Sequence, residues 1–456
     1  MSKFIQTALI WYGGAPQITS AIVAQFAKYD LLDISRYKFE DLPNCWGLIK
    51  AANPGIKIYI YVGGAEVSNM RDTDHVKYLN ELGRYGVSRG LAQGALNSKW
   101  PQLFLKDKAG QRIYNKDFST PGTNQYSFLM DFASTDYINY WLAAENADNT
   151  TQPWVADGIF ADLCMLQSSA CFYVSSASPA RVLPASYPTE AAWCTGMQTF
   201  IKGLRAGLTA TGQKVWVNAG STRVQAGYDA WLALDASTNP PDVMMEEGAF
   251  CVAWGSQVQF YQESEWKRQV DVIKNLAHSK CTMLSHTQIA RDGSGTDNYG
   301  NKVTFWQAFY YALASFLLGK TDNAYFYFAT GPTYDRIWWY DEYDKIDLGA
   351  AVGPYAVTAG PMVYRREFEK GYVYVNPTNI DVASVTLPQP CRPITHANIL
   401  SDFNAITPVT TFALPRWNGA VLLKTTPTAP VVLTPVGRKL TGTFTGTFTG
   451  TLEETT

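Results

Sequence analysis

Charge is scarce in this sequence. Asp, Glu, Lys and Arg make up 17% of 456 residues, against a typical share of about 25%. The formal net charge is −2, so no broad electropositive surface exists to hold nucleic acid. Histidine is rarer still, with four in the chain. His75, His278, His286 and His396 are far apart and show no metal-ligand spacing, so zinc chemistry is not expected. No apolar run reaches the ~20 residues of a membrane span. The nearest, Phe309 to Leu318, is too short. The N-terminal residues show no apolar core with a cleavage site, so no signal peptide is read there. No Gly-rich phosphate or dinucleotide fingerprint follows any apolar run, which counts against nucleotide-binding folds. The seven cysteines match no zinc or redox spacing and are expected to be apolar packers, with a Cys164–Cys171 loop disulfide as the alternative.

What is present is apolar and aromatic. Hydrophobic residues are 46% of the chain and aromatics 14%, enough for a large core. Short apolar runs alternate with longer helical patterns. Eight runs read as buried strands: 7–12, 29–34, 57–62, 155–162, 214–218, 242–246, 282–286 and 324–328. Helical stretches separate them, among them 190–208, 263–277 and 304–318. Strand–helix repetition implies parallel pairing. Eight units in about 350 residues fit a (β/α)8 TIM barrel better than an open doubly wound sheet. Residues 103–114 read as a hairpin, and 126–131 as an extended segment leading into a helix from Asp136 to Ala144. Both are insertions between strands three and four, at the end of the barrel where sites form.

After about residue 355 the period changes to short strands broken by Pro, Gly and Asn. The expected organisation is a barrel over 1–355, a small antiparallel β domain over 356–425 and a Pro/Thr/Gly-rich tail over 426–456. The tail includes a period-four Thr-Gly-Thr-Phe tract, which is low complexity and not core.

In such a barrel, carboxylates at the C-terminal ends of strands face the site. Asp162 ends run four, and Glu246 and Glu247 end run six. An acid ending an apolar strand is costly unless paired or used. Two carboxyls facing one cavity are what glycoside hydrolysis needs, one ionised and one protonated. The structural alternative is that each caps a helix or pairs with an arginine such as Arg223. Strand side chains alternate, so only one of Glu246 and Glu247 faces the lumen; Glu246 is favoured because it ends the apolar run. Asp157 enters its strand from the far side and reads as structural. Trp11 and Tyr12, Asp131, Asn218, Trp254 and His286 are the candidate substrate-binding residues, by their place at or just after strand ends. Tyr61 and Glu66 rank below them.

The segment Phe128-Leu129-Met130-Asp131, the following helix with Tyr137 and Trp141, and Asp157-Gly158-Ile159-Phe160-Ala161-Asp162 resemble bacterial and phage hypothetical glycosyl hydrolases, family fifteen of that group. The stretch Tyr364 to Thr378, with Asn376-Pro377, is similar to the start of their C-terminal β domain. The likeness spans roughly residues 5 to 425 and implies a polysaccharide-acting barrel enzyme that needs no cofactor. Acids on strands four and six also resemble retaining families of the alpha-galactosidase type. That likeness implies Asp162 as nucleophile and Glu246 or Glu247 as proton donor. This chain departs from those families by carrying Glu on strand six. The expectation is an O-glycoside hydrolase with a poly- or oligosaccharide substrate, no nucleic-acid or membrane partner and retention of configuration. It implies an extracellular or phage-particle setting. The rival is a carbohydrate- or receptor-binding protein on a retained barrel, without catalysis. A lyase or transglycosylase is the third reading.

Overall fold

The computed structural model describes residues 3–12, 18–34, 44–68, 101–119, 126–151, 156–170, 172–331, 334–358 and 362–425. The tail repeat and Cys171 lie outside these residues.

Eight parallel strands form one sheet in chain order: β1 (Ala8–Trp11), β2 (Leu31–Ile34), β3 (Lys57–Gly63), β4 (Gly158–Asp162), β5 (Lys214–Asn218), β6 (Val243–Glu247), β7 (Lys280–Thr287) and β8 (Ala324–Thr330). A parallel bridge between Thr7 and Phe326, with the Phe326 N–H donating to the Gln6 carbonyl at 2.9 Å, joins the last strand to the first. The architecture is the expected (β/α)8 barrel. Its strands read as continuous apolar runs because helices cover one face and the packed lumen the other.

Helices wrap the barrel through apolar stripes. Helix Glu190–Thr209 starts at Thr189, whose Oγ1 accepts from the Ala192 N–H at 3.1 Å. It buries Trp193, Met197, Phe200, Leu204 and Leu208, three to four residues apart and so on one face. The lumen floor is filled by rings: Trp216 meets Tyr59 at 5.6 Å and Phe160 at 4.7 Å between ring centroids. Of the described cysteines, all but the partly buried Cys194 are buried.

Two small sheets sit on the strand-end loops. Segments Glu66–Ser68, Ser127–Leu129, Ile113–Asn115 and Tyr173–Ser175 pair antiparallel in that order. The segment at 127–129 is therefore a strand of this side sheet, and the helix after it runs Thr135–Thr151. Glu66 pins three of its strands: Asn115, Ser127 and Tyr173 donate to its buried carboxyl at 2.9, 2.6 and 2.9 Å. Burial, against those three donors, raises the Glu66 pKa to about 7. The second sheet joins Cys251–Val252, Gln257–Phe260, Ser294–Asp297 and Lys302–Thr304. Its strands are two to four residues long and escaped the sequence reading.

The C-terminal part is a six-stranded sheet, β9 (Ala356–Val357), β10 (Tyr364–Glu367), β11 (Gly371–Asn376), β12 (Val382–Ile394), β13 (Val409–Leu414) and β14 (Asn418–Lys424), in the order β9-β10-β11-β14-β12-β13. It packs on helix Phe305–Gly319, which is buried nearly all round. Arg366 of β10 donates to the carbonyls of Leu317, Leu318 and Lys320 at 3.2, 3.0 and 2.8 Å. A cation thus satisfies the carbonyls that end this helix.

Candidate active site

Asp162 and Glu247 meet at the C-terminal mouth of the barrel, joined by one amide. Asn218 Nδ2, at the end of β5, donates to Asp162 Oδ1 at 2.9 Å and to Glu247 Oε2 at 2.7 Å. The two hydrogens of an amide nitrogen diverge by about 120°, which holds the two acceptor oxygens roughly 5 Å apart. Asp162 also accepts from the Tyr61 hydroxyl at 3.0 Å and from the Leu163 N–H at 2.8 Å. Glu247 accepts from the Tyr334 hydroxyl at 2.5 Å.

The backbone is bent to hold these groups. Residues with positive φ follow the ends of β4, β5, β6 and β8: Leu163 (58°) after Asp162, Ser221 (71°) after Asn218, Phe250 (61°) after Glu247 and Tyr334 (45°) after β8. Such conformations cost about 1–3 kcal/mol each and gather where geometry matters more than stability. Gly64 allows β3 to approach β4 closely. A Cβ there would stand 2.6 Å from the Asp162 carbonyl, whose oxygen accepts the Gly64 N–H at 2.8 Å. Gly248, at φ 85°, turns the chain directly after Glu247.

The two acids stand in unequal surroundings. Burial raises both pKa values. For Asp162, hydrogen bonds from Asn218, the Leu163 N–H and Tyr61 work against that rise. For Glu247, the neighbouring Asp162 charge adds to burial and carries its pKa to about 7. The pair can therefore hold one proton, with the negative charge on Asp162, which accepts three hydrogen bonds to the two of Glu247.

Glu246 turns the other way. Its Oε2 accepts the Thr222 N–H and hydroxyl, both at 2.7 Å, and the Arg223 charge partly offsets its burial. The preference for Glu246 at the lumen is therefore corrected to Glu247. Strand six ends one residue later than its apolar run, and one residue inverts the face. Glu246 anchors the loop after β5. Glu246→Ala should lower unfolding stability by about 1–3 kcal/mol, by leaving a buried N–H unpaired. Glu246→Gln, which keeps the acceptor, should leave both stability and turnover near wild type in denaturant melts and rate assays.

Trp11 also faces away. It is 1% exposed and packs against Phe26 of the first helix at 5.2 Å, so alternation makes it core and not a cleft wall. Tyr12 is on the lumen face, with its ring 4.8 Å from Tyr61 and 5.7 Å from Tyr334. Asp131 lies apart, in the side-sheet region, where the Tyr187 hydroxyl donates to it at 2.5 Å. His286 and Trp254 pair with each other, ring centroids 4.1 Å apart. Asp157, at the opposite end of its strand, pairs with Lys50 at 2.5 Å.

Two members of the site were missed. Asp33 is a fully buried acid in the apolar run of β2. Burial raises its pKa well above the ordinary carboxylate range, the Tyr12 hydroxyl lowers it, and the Asp162 charge raises it further. An acid set between the apolar Leu32 and Ile34 was its visible signal. Tyr334 had none, because it lies in the loop after β8. No group of three or more His, Cys, Asp or Glu among the described residues could hold a metal ion, and no described helix is long and apolar enough to cross a membrane.

Solved structures of a trehalulose synthase share this architecture. A variant in complex with Tris aligns at TM-score 0.51 and 10% identity, over 92% of this chain and 99% of that one. A second variant, from crystals soaked with trehalulose, aligns at TM-score 0.50 and 9% identity over the same shares. The enzyme from Pseudomonas mesoacidophila MX-45 aligns at 0.48 and 10% identity, over 92% and 98%. At such identity the first two likenesses show the fold alone. No curated protein matches the chain. The family resemblance read from the strand-four segment agrees with the family comparison: the chain belongs to hypothetical glycosyl hydrolase family 15, whose model matches residues 50–372, well over half its length.

Proposed function

We propose that the protein is a retaining O-glycoside hydrolase acting on a poly- or oligosaccharide. Its chemistry belongs to the barrel, taken as residues 1–355. The β domain over 356–425 and the tail over 426–456 lie outside it. A glycosyl hydrolase family on a (β/α)8 barrel supports a glycosidase-type enzyme. One observation carries the finer reading: the Asp162–Asn218–Glu247 bridge. Its oxygens, roughly 5 Å apart, are nearer the ~5–5.5 Å of retaining pairs than the about 6.5–9.5 Å of inverting ones, which supports retention.

In this reading the Asp162 carboxylate attacks the anomeric carbon and forms a glycosyl ester. Glu247 gives its proton to the leaving oxygen as that bond breaks. Glu247, now ionised, takes a proton from water, which attacks the same carbon and releases Asp162. The Asn218 amide and Tyr61 hydroxyl hold the nucleophile between the two steps. The second carboxyl beside Asp162 favours catalysis over a binding-only barrel.

The test is a polysaccharide panel read by new reducing ends, followed by proton NMR of the first product formed with the substrate cleaved. The expected product keeps the anomeric configuration of the bond cut. An inverted first product would overturn the nucleophile assignment. Binding without cleavage across the panel would leave the non-catalytic reading.

A further inference from the structure

Above the acid pair, on the side away from Asp162, lies a feature the two-carboxylate chemistry does not use. Glu247 is in register with Leu284 of β7. Alternation puts His286 on the same lumen face, roughly 7 Å farther toward the mouth. His286 is fully buried, yet neither ring nitrogen meets a hydrogen-bond partner among the described residues. An orphaned buried imidazole costs stability unless something else uses it. Over it lies the indole of Trp254, tilted at 62° and 52% exposed. Trp254 stands at the tip of the Cys251–Val252/Gln257–Phe260 hairpin. Gln288, two residues beyond His286, donates to the Trp254 carbonyl at 2.7 Å and ties that tip to β7. Beside the indole, a Cβ added at Gly255 would meet nothing within 4 Å, so the tip is open to a ligand.

We infer that Trp254 and His286 form a subsite for the leaving-group sugar, the ring released when the bond is cut. This deepens, and rests on, the hydrolase reading. The proton donor must face the leaving oxygen, so the departing sugar lies on the Glu247 side and toward the mouth. The exposed indole face stacks on the C–H face of a pyranose. A small shift of the indole uncovers His286, whose two nitrogens serve as one donor and one acceptor to sugar hydroxyls. Burial lowers the His286 pKa to about 4, so the ring stays neutral and keeps both roles at neutral pH. A neutral site also suits an uncharged hexose better than an acidic sugar.

The probes are an oligosaccharide cut from the panel polysaccharide that the enzyme cleaves, and the glycosyl fluoride of the same sugar. Fluoride leaves without a ring, so it cannot occupy this subsite. Trp254→Ala should lower kcat/KM for the oligosaccharide about tenfold, the scale of one good ring contact, and leave the fluoride rate within about twofold of wild type. His286→Phe keeps the ring packing without the nitrogens and should show the same split, with an unchanged melting temperature. An equal loss on both probes, or a loss on neither, would overturn the subsite while leaving the hydrolase intact. Failure of the wild-type enzyme to cleave any polysaccharide of the panel would instead overturn the hydrolase reading.

Discussion

Asp162→Asn should abolish hydrolysis, lowering turnover by roughly 10³-fold or more, with the fold intact. Asparagine keeps the size, and with its oxygen in the Oδ1 place it keeps the acceptor for the Leu163 N–H, while the Tyr61 hydroxyl, which now donates to Oδ2, can turn to accept from the new amide. It removes the charge and the attacking oxygen. The variant's products also report the role. With an activated glycosyl donor, azide should attack the exposed anomeric carbon directly and give the glycosyl azide of inverted configuration. Turnover near wild type, or loss of activity together with loss of cooperative melting, would sink the assignment.

Glu247→Gln should lower hydrolysis of natural linkages by about 10²–10⁴-fold. It should cost far less in the first step with a glycosyl fluoride, whose leaving group needs no proton. Glu247→Ala with azide should give the azide of retained configuration, opposite to that from Asp162→Asn, because the glycosyl ester still forms. The pH profile gives an independent reading. The pKa of Glu247 is raised to about 7, so the protonated, competent form prevails below that pH. Wild-type activity should fall as pH rises through about 7, and the Gln variant should lose this limb. Stability has the same sign. A group that binds its proton more tightly when folded contributes most below its unfolded pKa, and that contribution fades as pH rises through its folded one. Thermal melts of wild type should therefore lose stability between about 4.5 and 7, and the Gln variant should lose less there.

Much of the barrel was legible because parallel strands buried on both faces must be apolar throughout. Strand β5 was read with its bounds, Lys214–Asn218, and β4 and β8 were found within a few residues. The side sheets were not legible. Strands of two to four residues, such as Cys251–Val252, are too short to show a period, and some pairings, such as Glu66–Ser68 with Ser127–Leu129, join segments far apart in the chain. The acid on β6 was legible as a pair, but its facing was not. The run was read as ending at Glu246, and the strand goes on to Glu247.

The chain's own residues determined the class: low charge, no nucleotide fingerprint, eight apolar runs, and acids at the ends of the fourth and sixth. These follow from local rules of burial and alternation, which a sequence carries. Tertiary structure decided the rest. Closure of the barrel set the phase of each strand, so Glu247 entered the lumen while Glu246 went to Thr222 and Trp11 to Phe26. Folding also brought Tyr334 to Glu247 across 87 positions of chain, and Asp33 within range of the Asp162 charge. No local pattern encodes such meetings, because they depend on where eight strands stand around one axis. The raised pKa of Glu247 depends on them too, since burial and a neighbouring carboxylate are properties of the assembled site.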